Sequence, residues 1–213
     1  RPSGYALKML RPEWVDHPWA IQLMQREAVV GRSVSHPHLI SVLAANVTSP
    51  PRFLVMPWLE GTTLEAQRSA AGPIEVPGAL WVVRQVAQAL EALHAAGWMH
   101  GDVKPGNIFV SPEGHTTLMD LGFARRGDET GSAVDRCVTG SCRYMAPELI
   151  TSTLRADIRS DIYSLGAVLF ELLSGRPPFD GETLADLAGQ HKQAAPPNLS
   201  QLAPHLPPEV ARL

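Results

Sequence analysis

The stretch His100-Gly101-Asp102-Val103-Lys104-Pro105-Gly106-Asn107 brings three polar side chains of different chemistry into one short segment. Asp102 can accept a proton, Lys104 carries a positive charge, and Asn107 offers an amide oxygen to a cation. The proline and the glycines between them predict a loop rather than a helix or a strand. This loop therefore concentrates groups suited to acid–base and metal-binding chemistry, and the residues on either side of it predict the fold that holds it.

The residues around this loop predict a mainly helical part of the chain. The predicted elements are a helix over 77–96, short strands over 108–110 and 117–119, and a buried helix over 160–173. In the first helix, the residues that we predict to face the core are Trp81, Val82, Val86, Leu90 and Leu93.

The first part of the chain predicts a smaller, strand-rich unit. Its predicted elements are a strand over 5–10, a helix over 16–34 and two strands over 39–47 and 52–56. The predicted organisation is therefore an α+β fold of two lobes, a partial N-terminal lobe over residues 1–58 and a larger, mainly helical lobe over residues 59–213. A cleft between two such lobes is a common place for a ligand.

Composition and charge exclude several classes of protein. The chain has 213 residues, 45% of them apolar, which is enough to form a core. A net charge of −3 does not favour a nucleic-acid partner, and no apolar run reaches the roughly 18 residues of a membrane-spanning helix. Cys137 and Cys142 are typical of thiols in a reducing compartment, so we expect a cytoplasmic domain. The chain does not begin with Met and ends on residues typical of a helix start, so we expect a segment of a longer protein.

Three further residues complete the chemistry that phosphoryl transfer from ATP requires. Such a transfer needs cations that neutralise the phosphates, oxygen ligands for Mg²⁺ and a group that orients the acceptor hydroxyl. Asp120 and Asn107 are the predicted Mg²⁺ ligands, because this ion prefers hard oxygen ligands. Lys8 in a strand and Glu27 in a helix predict an ion pair that holds the lysine against the phosphates. Asp102 would then accept the proton of the hydroxyl.

In order and spacing these motifs resemble the catalytic domain of eukaryotic-type Ser/Thr protein kinases, in a form also found in bacteria. The resemblance covers essentially the whole chain. The stretch 100–107 resembles the catalytic loop, Asp120-Leu121-Gly122 the metal-binding motif, and Ala146-Pro147-Glu148 the end of the activation segment. Tyr5-Ala6-Leu7-Lys8 resembles the lysine strand. Residues 160–166, Ser-Asp-Ile-Tyr-Ser-Leu-Gly, resemble the buried helix of the large lobe. The resemblance implies that Asp161 braces the backbone of the catalytic loop.

The resemblance implies a bilobal protein-kinase-like fold that uses ATP and Mg²⁺ to phosphorylate Ser or Thr hydroxyls on protein substrates. The residues implied to act in catalysis are Asp102, Lys104, Asn107 and Lys8. The residues implied to bind the nucleotide are Lys8, Glu27, Ala6, Met56, Leu59, Phe109, Asn107 and Asp120, and those implied to hold the metal are Asn107 and Asp120. The residues implied to be structural are His100, Glu148 and Asp161.

Three features depart from the family pattern. No glycine-rich loop precedes Lys8 in this sequence, so we expect the segment to have been cut after the strands that carry that loop, and we expect it to bind ATP weakly on its own. Gly101 stands where many such kinases have an arginine that pairs with a phosphorylated activation loop, so we expect loop phosphorylation not to be the main switch. Gly31 stands where the family packs a bulky apolar side chain, so we expect a gap beside a loosely docked helix.

Two other functions stay open on the sequence alone. A pseudokinase scaffold would bind partners without transferring phosphate, although the complete set of charged residues argues against it. A small-molecule kinase would share the Asp and Asn of the catalytic loop but lack Ala146-Pro147-Glu148 and the segment before it, which present a protein substrate. For the whole protein we expect flanking sensor domains or a membrane anchor and no nucleic-acid partner.

Overall fold

The computed structural model describes residues 4–71, 74–127, 141–151, 157–181 and 183–211. Within these ranges the strands are β1 (Tyr5–Met9), β2 (Ala44–Asn46), β3 (Phe53–Pro57), β4 (Thr62–Thr63), β5 (Ile108–Val110) and β6 (Thr116–Leu118). The α-helices there are α1 (Pro18–Ser33), α2 (Leu64–Ala71), α3 (Val76–Ala95), α4 (Pro147–Thr151), α5 (Ile158–Ser174), α6 (Leu184–Gln193) and α7 (Leu199–Leu202). Most predicted elements are present with ends shifted by one or two residues, which is the usual uncertainty of such boundaries.

The first sheet carries the predicted lysine strand. β1, β3 and β2 are antiparallel and lie side by side in that order, with Lys8 opposite Leu54 and Ala6 opposite Met56. The buried residues between α1 and this sheet are Met24, Ala28, Val42 and Leu54. This packing brings Glu27, which is buried on α1, next to Lys8.

The strand predicted over residues 39–47 is wrong for its first half. Only Ala44–Asn46 forms a strand, which pairs with β3. The backbone N–H of Ile40 instead donates to the carbonyl oxygen of Leu118 in β6 at 2.9 Å, and Leu39 forms an isolated bridge with the same residue. The pairing of strand-forming residues depends on the tertiary structure. Here the first half of the segment bonds β6 of the second sheet, and only its second half belongs to the first sheet.

The gap expected beside Gly31 is filled by Val42, so that expectation is wrong. The N–H of Val42 donates to the carbonyl oxygen of Gly31 at 2.9 Å. A β-carbon at position 31 would lie 2.6 Å from Cγ2 of Val42, well inside the distance at which two carbon atoms make favourable contact. Glycine therefore lets α1 approach this segment closely, and the helix is docked tightly rather than loosely.

Replacing Gly31 with alanine is expected to destabilise the protein, although alanine is the better helix former. Helix propensity favours alanine by about 1 kcal/mol, whereas overpacking against Val42 costs about 1–3 kcal/mol. We expect a net loss of up to about 2 kcal/mol in the free energy of unfolding, measured by urea denaturation. The same substitution should cost less in a Val42→Ala background, and a single variant more stable than wild type would contradict the close approach.

The larger core forms where α3 packs against α5. Its buried residues from these two helices include Val86, Leu90, Leu93, Leu165, Val168 and Leu172. Trp81 was predicted to face this core, but it is 52% exposed, so that prediction is wrong. Its indole N–H donates to the carbonyl oxygen of Gly114 at 3.2 Å, because a tryptophan at the edge of an apolar arc can keep its polar group on a neighbouring turn.

A second small sheet supports the loop that follows α3. β4, β5 and β6 are antiparallel in that order, so the loop 100–107 runs from the end of α3 into β5 and β6 leads to Asp120. The domain boundary predicted after residue 58 stays a prediction, and in the structure β3 ends at Pro57 and β4 begins at Thr62. None of the helices within the described ranges combines the length and the apolar character that crossing a membrane requires.

Candidate active site

Asp161 on α5 holds the backbone of the loop 100–107. Its Oδ2 and Oδ1 oxygens accept the N–H groups of His100 and Gly101, each at 2.8 Å. The Oδ2 oxygen also lies 2.8 Å from Nε2 of His94, in the last turn of α3. Gly101 has a φ of 75°, in the left-handed region that favours glycine. The loop is therefore fixed to the two helices that form the centre of the larger core.

Replacing Asp161 with alanine is expected to lower the free energy of unfolding by roughly 2–5 kcal/mol, because it leaves two backbone N–H groups without an acceptor. Asp161→Asn should cost less, because one carbonyl oxygen remains. The measurement is urea denaturation of both variants beside wild type. An alanine variant as stable as wild type would contradict the bracing role.

His100 connects the loop to the residues before Asp120. The side chain is fully buried, and the N–H of Asp102 donates to its Nδ1 at 3.2 Å. Nδ1 is then an acceptor, so Nε2 carries the hydrogen and donates to the carbonyl oxygen of Met119 at 3.0 Å. This geometry supports the structural role that the resemblance implies for His100.

Asp102, Lys104 and Asn107 lie in contact with one another in this loop. The Asn107 amide donates from Nδ2 to both the carbonyl oxygen and the Oδ2 oxygen of Asp102, each at 2.8 Å. Nζ of Lys104 lies 2.8 Å from the same Oδ2. Asp102 is 5% exposed. Its carboxylate is thus held in one orientation by a neutral donor and a cation, while Oδ1 of Asn107 is left as an acceptor suited to a metal ion.

Lys8 links β1 to α1 and to Asp120, which lies two residues after the end of β6. Its Nζ lies 2.6 Å from Oε2 of Glu27 and 3.1 Å from Oδ1 of Asp120. Burial alone lowers the pKa of Lys8, but Asp120 and Glu27 outweigh it, so the pKa lies above its ordinary value. The ammonium group is therefore positively charged at neutral pH and is positioned by two carboxylates from different elements.

The pKa of Asp120 is shifted in the direction opposite to that of Lys8. Burial alone raises the pKa of its carboxyl group, but the neighbouring Lys8 prevails and lowers the pKa below its ordinary value. Asp120 also has a φ of 63°, which is uncommon for a residue other than glycine. An ionised carboxylate held in such a conformation beside a lysine is typical of a functional site rather than of a surface turn.

A cleft of about 500 Å³ is lined by all eight residues predicted to bind the nucleotide. The predicted residues that line it are Ala6, Lys8, Glu27, Met56, Leu59, Asn107, Phe109 and Asp120. The lining includes both apolar and charged side chains, which suits a ligand with a flat apolar ring and a polyanionic tail. Asp102 and Lys104 do not line the cleft, although Asn107 joins them to it.

Sequence reasoning missed several residues of the cleft. They are Ile40, Pro57, Trp58, Gly61, Gly106 and Met119. Trp58 and Met119 adjoin the predicted Leu59 and Asp120, so proximity in sequence was an available signal. Ile40 could not have been found in this way, because it is distant in sequence from every predicted cleft residue, and its backbone N–H bonds to Leu118 of β6.

The oxygen donors of the site suit Mg²⁺ better than a transition metal. The part of the chain that the structure describes contains no group of three or more His, Cys, Asp or Glu side chains that could hold a metal ion by themselves. Asp120 and Asn107 supply one carboxylate and one amide oxygen beside the cleft. Mg²⁺ is commonly held by one or two protein groups together with phosphate oxygens and water, so the donor set fits this ion.

The end of the predicted activation segment packs onto α5. The hydroxyl of Tyr144 donates to Oε2 of Glu171 at 2.5 Å, and Glu171 also pairs with Arg68 of α2 at 2.9 Å. The hydroxyl of Ser160 donates to Oε1 of Glu148 at 2.6 Å. Residues 128–140, which include Cys137 and most of the predicted activation segment, lie outside the described residues.

Comparison with known proteins identifies the class of this chain. A family model described as "protein kinase domain" matches residues 2–207. The chain therefore belongs to the protein kinase domain family, and the predicted protein-kinase-like fold class is confirmed.

Its relatives include several bacterial proteins named as serine/threonine-protein kinases. PrkC of Bacillus subtilis is 35% identical over 98% of this chain and 32% of its own length. PknD of Mycobacterium tuberculosis is 36% identical over 96% of this chain and 31% of its own length. PknB of Mycolicibacterium smegmatis is 34% identical over 96% of this chain and 34% of its own length. This chain thus spans about a third of the length of these relatives.

Proposed function

We propose that the protein containing this chain transfers the γ-phosphoryl group of ATP, with Mg²⁺, to Ser or Thr hydroxyls of protein substrates. The observation that carries the proposal is the meeting of two groups of polar side chains, one that lines the cleft and one that is joined to it through Asn107. The first group is Lys8 with Glu27 and Asp120, and the second is Asp102 with Asn107. Phosphoryl transfer depends on positioning and on neutralising charge, and these two groups supply both.

The site residues have distinct proposed roles in this reaction. Lys8, kept charged and aimed by its two carboxylates, contacts the phosphates. Asp120 and Asn107 would hold a Mg²⁺ ion, which would supply positive charge to the phosphates when bound. Ala6, Met56, Leu59 and Phe109 would contact the adenine ring. The geometry of the cleft and the family pattern support these proposed roles.

Asp102 is the proposed proton acceptor for the substrate hydroxyl. Its carboxylate is oriented by Asn107 and lies 2.8 Å from Nζ of Lys104. A cation at that position is suited to the charge of the transferred phosphoryl group. Lys104 at this place in the loop also favours Ser or Thr over Tyr in the family that the chain belongs to.

A protein acceptor is favoured over a small molecule by the segment that ends in α4. Tyr144 and Glu148 are both anchored on α5 by hydrogen bonds, and Met145, Ala146 and Leu149 form a small buried cluster of their own. Small-molecule kinases with a similar catalytic loop lack this segment. An anchored platform beside the catalytic loop is suited to present an extended peptide.

The acceptor is tested with the full-length protein and γ-labelled ATP in the presence of Mg²⁺. We expect label on protein, recovered as phosphoserine or phosphothreonine after acid hydrolysis. Label recovered as phosphotyrosine would contradict the assigned specificity. Label transferred to choline or an aminoglycoside, with none on protein, would favour the small-molecule kinase.

The setting of the domain is also a proposal. The relatives are about three times as long as this chain, so we propose flanking segments such as a sensor domain or a membrane anchor, with the kinase domain on the cytoplasmic side. The net charge of −3 supports a protein rather than a nucleic-acid partner.

A further inference from the structure

Trp98 lies where three parts of the site meet. Its backbone N–H donates to the carbonyl oxygen of Leu93 at 2.9 Å, which ties it to the end of α3. The next residue, Met99, exchanges two backbone hydrogen bonds with Arg125, at 2.8 and 3.0 Å, and so pairs the start of the catalytic loop with the segment after Asp120. The Trp98 side chain itself is 9% exposed and belongs to the main core.

Two arginines from different segments stack on the Trp98 ring. The guanidinium carbon of Arg26 lies 5.5 Å from the ring centroid, and that of Arg126 lies 5.1 Å from it. Both distances are within the roughly 6 Å at which a cation is attracted by the face of an aromatic ring. The ring thus attracts two like charges that would otherwise repel each other.

Arg26 is the immediate neighbour of Glu27 on α1. Successive residues of an α-helix point about 100° apart, since there are 3.6 residues per turn. One turn of α1 therefore makes two contacts at once, Glu27 with Lys8 and Arg26 with Trp98. The rotation of α1 that is right for the ion pair is the rotation that places Arg26 on the indole.

We propose that Trp98 is a positioning residue for phosphoryl transfer. Through Arg26 it fixes the orientation of α1, and hence the Lys8–Glu27 ion pair, relative to the catalytic loop. Through Arg126 it ties the same ring to the segment that follows Asp120. The inference rests on the proposed function, because it concerns how the same site is held together.

A purely structural role for Trp98 makes different predictions. If the residue only fills the core, its apolar volume matters and the two arginines do not. If it positions α1, then Arg26→Met, which keeps most of the length and removes the charge, should reproduce the effect of losing the ring. The chain offers a matched control in Arg84, whose guanidinium carbon lies 5.8 Å from the ring of Trp81 on α3.

The test uses the full-length protein and measures the Kd of Mg-ATP, kcat, KM and the melting temperature for each variant. We expect Arg26→Met to weaken Mg-ATP binding by about 3- to 10-fold, with little change in melting temperature. Arg84→Met should leave the Kd of Mg-ATP and the melting temperature unchanged. Trp98→Phe should keep most of the affinity for Mg-ATP. Trp98→Leu should lose as much of that affinity as Arg26→Met does.

Two results would overturn the inference. One is an Arg26→Met variant that binds Mg-ATP as wild type and Arg84→Met do. The other is a loss of Mg-ATP affinity in Trp98→Phe and Trp98→Leu that is fully accounted for by their lower melting temperatures. Adding Arg26→Met to Trp98→Leu should cost little further affinity, and full additivity would count against the coupling. Failure of wild type to transfer phosphate would contradict the proposed function instead, and the binding measurements would still decide the role of Trp98.

Discussion

Asp102→Asn is expected to lower kcat by roughly 10²- to 10⁴-fold while the Kd of Mg-ATP stays within about threefold of wild type. The reason is that Asp102 is the proposed proton acceptor and does not line the nucleotide cleft. An asparagine has the same shape, and its amide oxygen can still accept from Asn107 and Lys104. The fold should therefore be kept while the base is lost.

The measurement compares labelling by γ-labelled ATP with nucleotide binding measured by calorimetry, for wild type and Asp102→Asn. Asp16→Asn is the matched control, because Asp16 is an exposed aspartate in a turn. Undiminished labelling by Asp102→Asn would end the assignment of this residue as the base. A parallel loss of binding and of kcat would show that the residue acts through the nucleotide site instead.

Lys8→Met is expected to lower kcat/KM by roughly 10²-fold or more, because it removes a charge that neutralises the phosphates. The substitution also leaves Glu27, which is 2% exposed, beside Asp120 without the cation between them. Burial already raises the pKa of Glu27, and Lys8 opposes that rise. Without the lysine we therefore expect Glu27 to take up a proton and the ion-pair geometry to be lost.

Steady-state kinetics over a range of Mg-ATP concentrations checks this expectation. Lys192→Met is the matched control, because Lys192 is exposed on α6. Lys8→Arg should not restore full activity, since a guanidinium is larger and spreads its charge over a plane. Unchanged kcat/KM in Lys8→Met would contradict the role given to the ion pair.

The catalytic loop could be predicted from the sequence because its chemistry is local. Asp102, Lys104 and Asn107 are close in the chain, so their meeting needs only a loop of the right shape. Lys8 and Asp120 are far apart in the chain, and their meeting was inferred from the family pattern. The structure brings Nζ of Lys8 to 3.1 Å from Oδ1 of Asp120, which local pattern alone could not have predicted.

The wrong predictions share one cause: each depends on a packing or hydrogen-bonding partner that is distant in the chain and cannot be identified from the local sequence. Trp81 has the right spacing for the core, but helical periodicity does not tell which edge of the apolar arc meets solvent. The segment 39–47 has strand-forming residues, but its first half bonds β6 rather than β3. Gly31 suggested a gap because Val42 could not be placed against it.

The stacking of Arg26 and Arg126 on Trp98 is a further feature that could not be predicted from the sequence. Nothing in the sequence around Trp98 predicts it, because a cation–π contact depends on the rotation of α1 and on the path of the chain after Asp120. Charged residues on a helix are usually taken as a solvated face. Only the distances to the ring identify these two arginines as partners of one indole.

The most direct test of the account is the transfer of label from γ-labelled ATP to protein by the full-length wild-type protein, with Mg²⁺ and with excess chelator. We predict Mg²⁺-dependent label on Ser or Thr that disappears with the chelator. Tight binding of Mg-ATP with no transfer to any protein would contradict the account, and would show that the intact set of charged residues serves a scaffold.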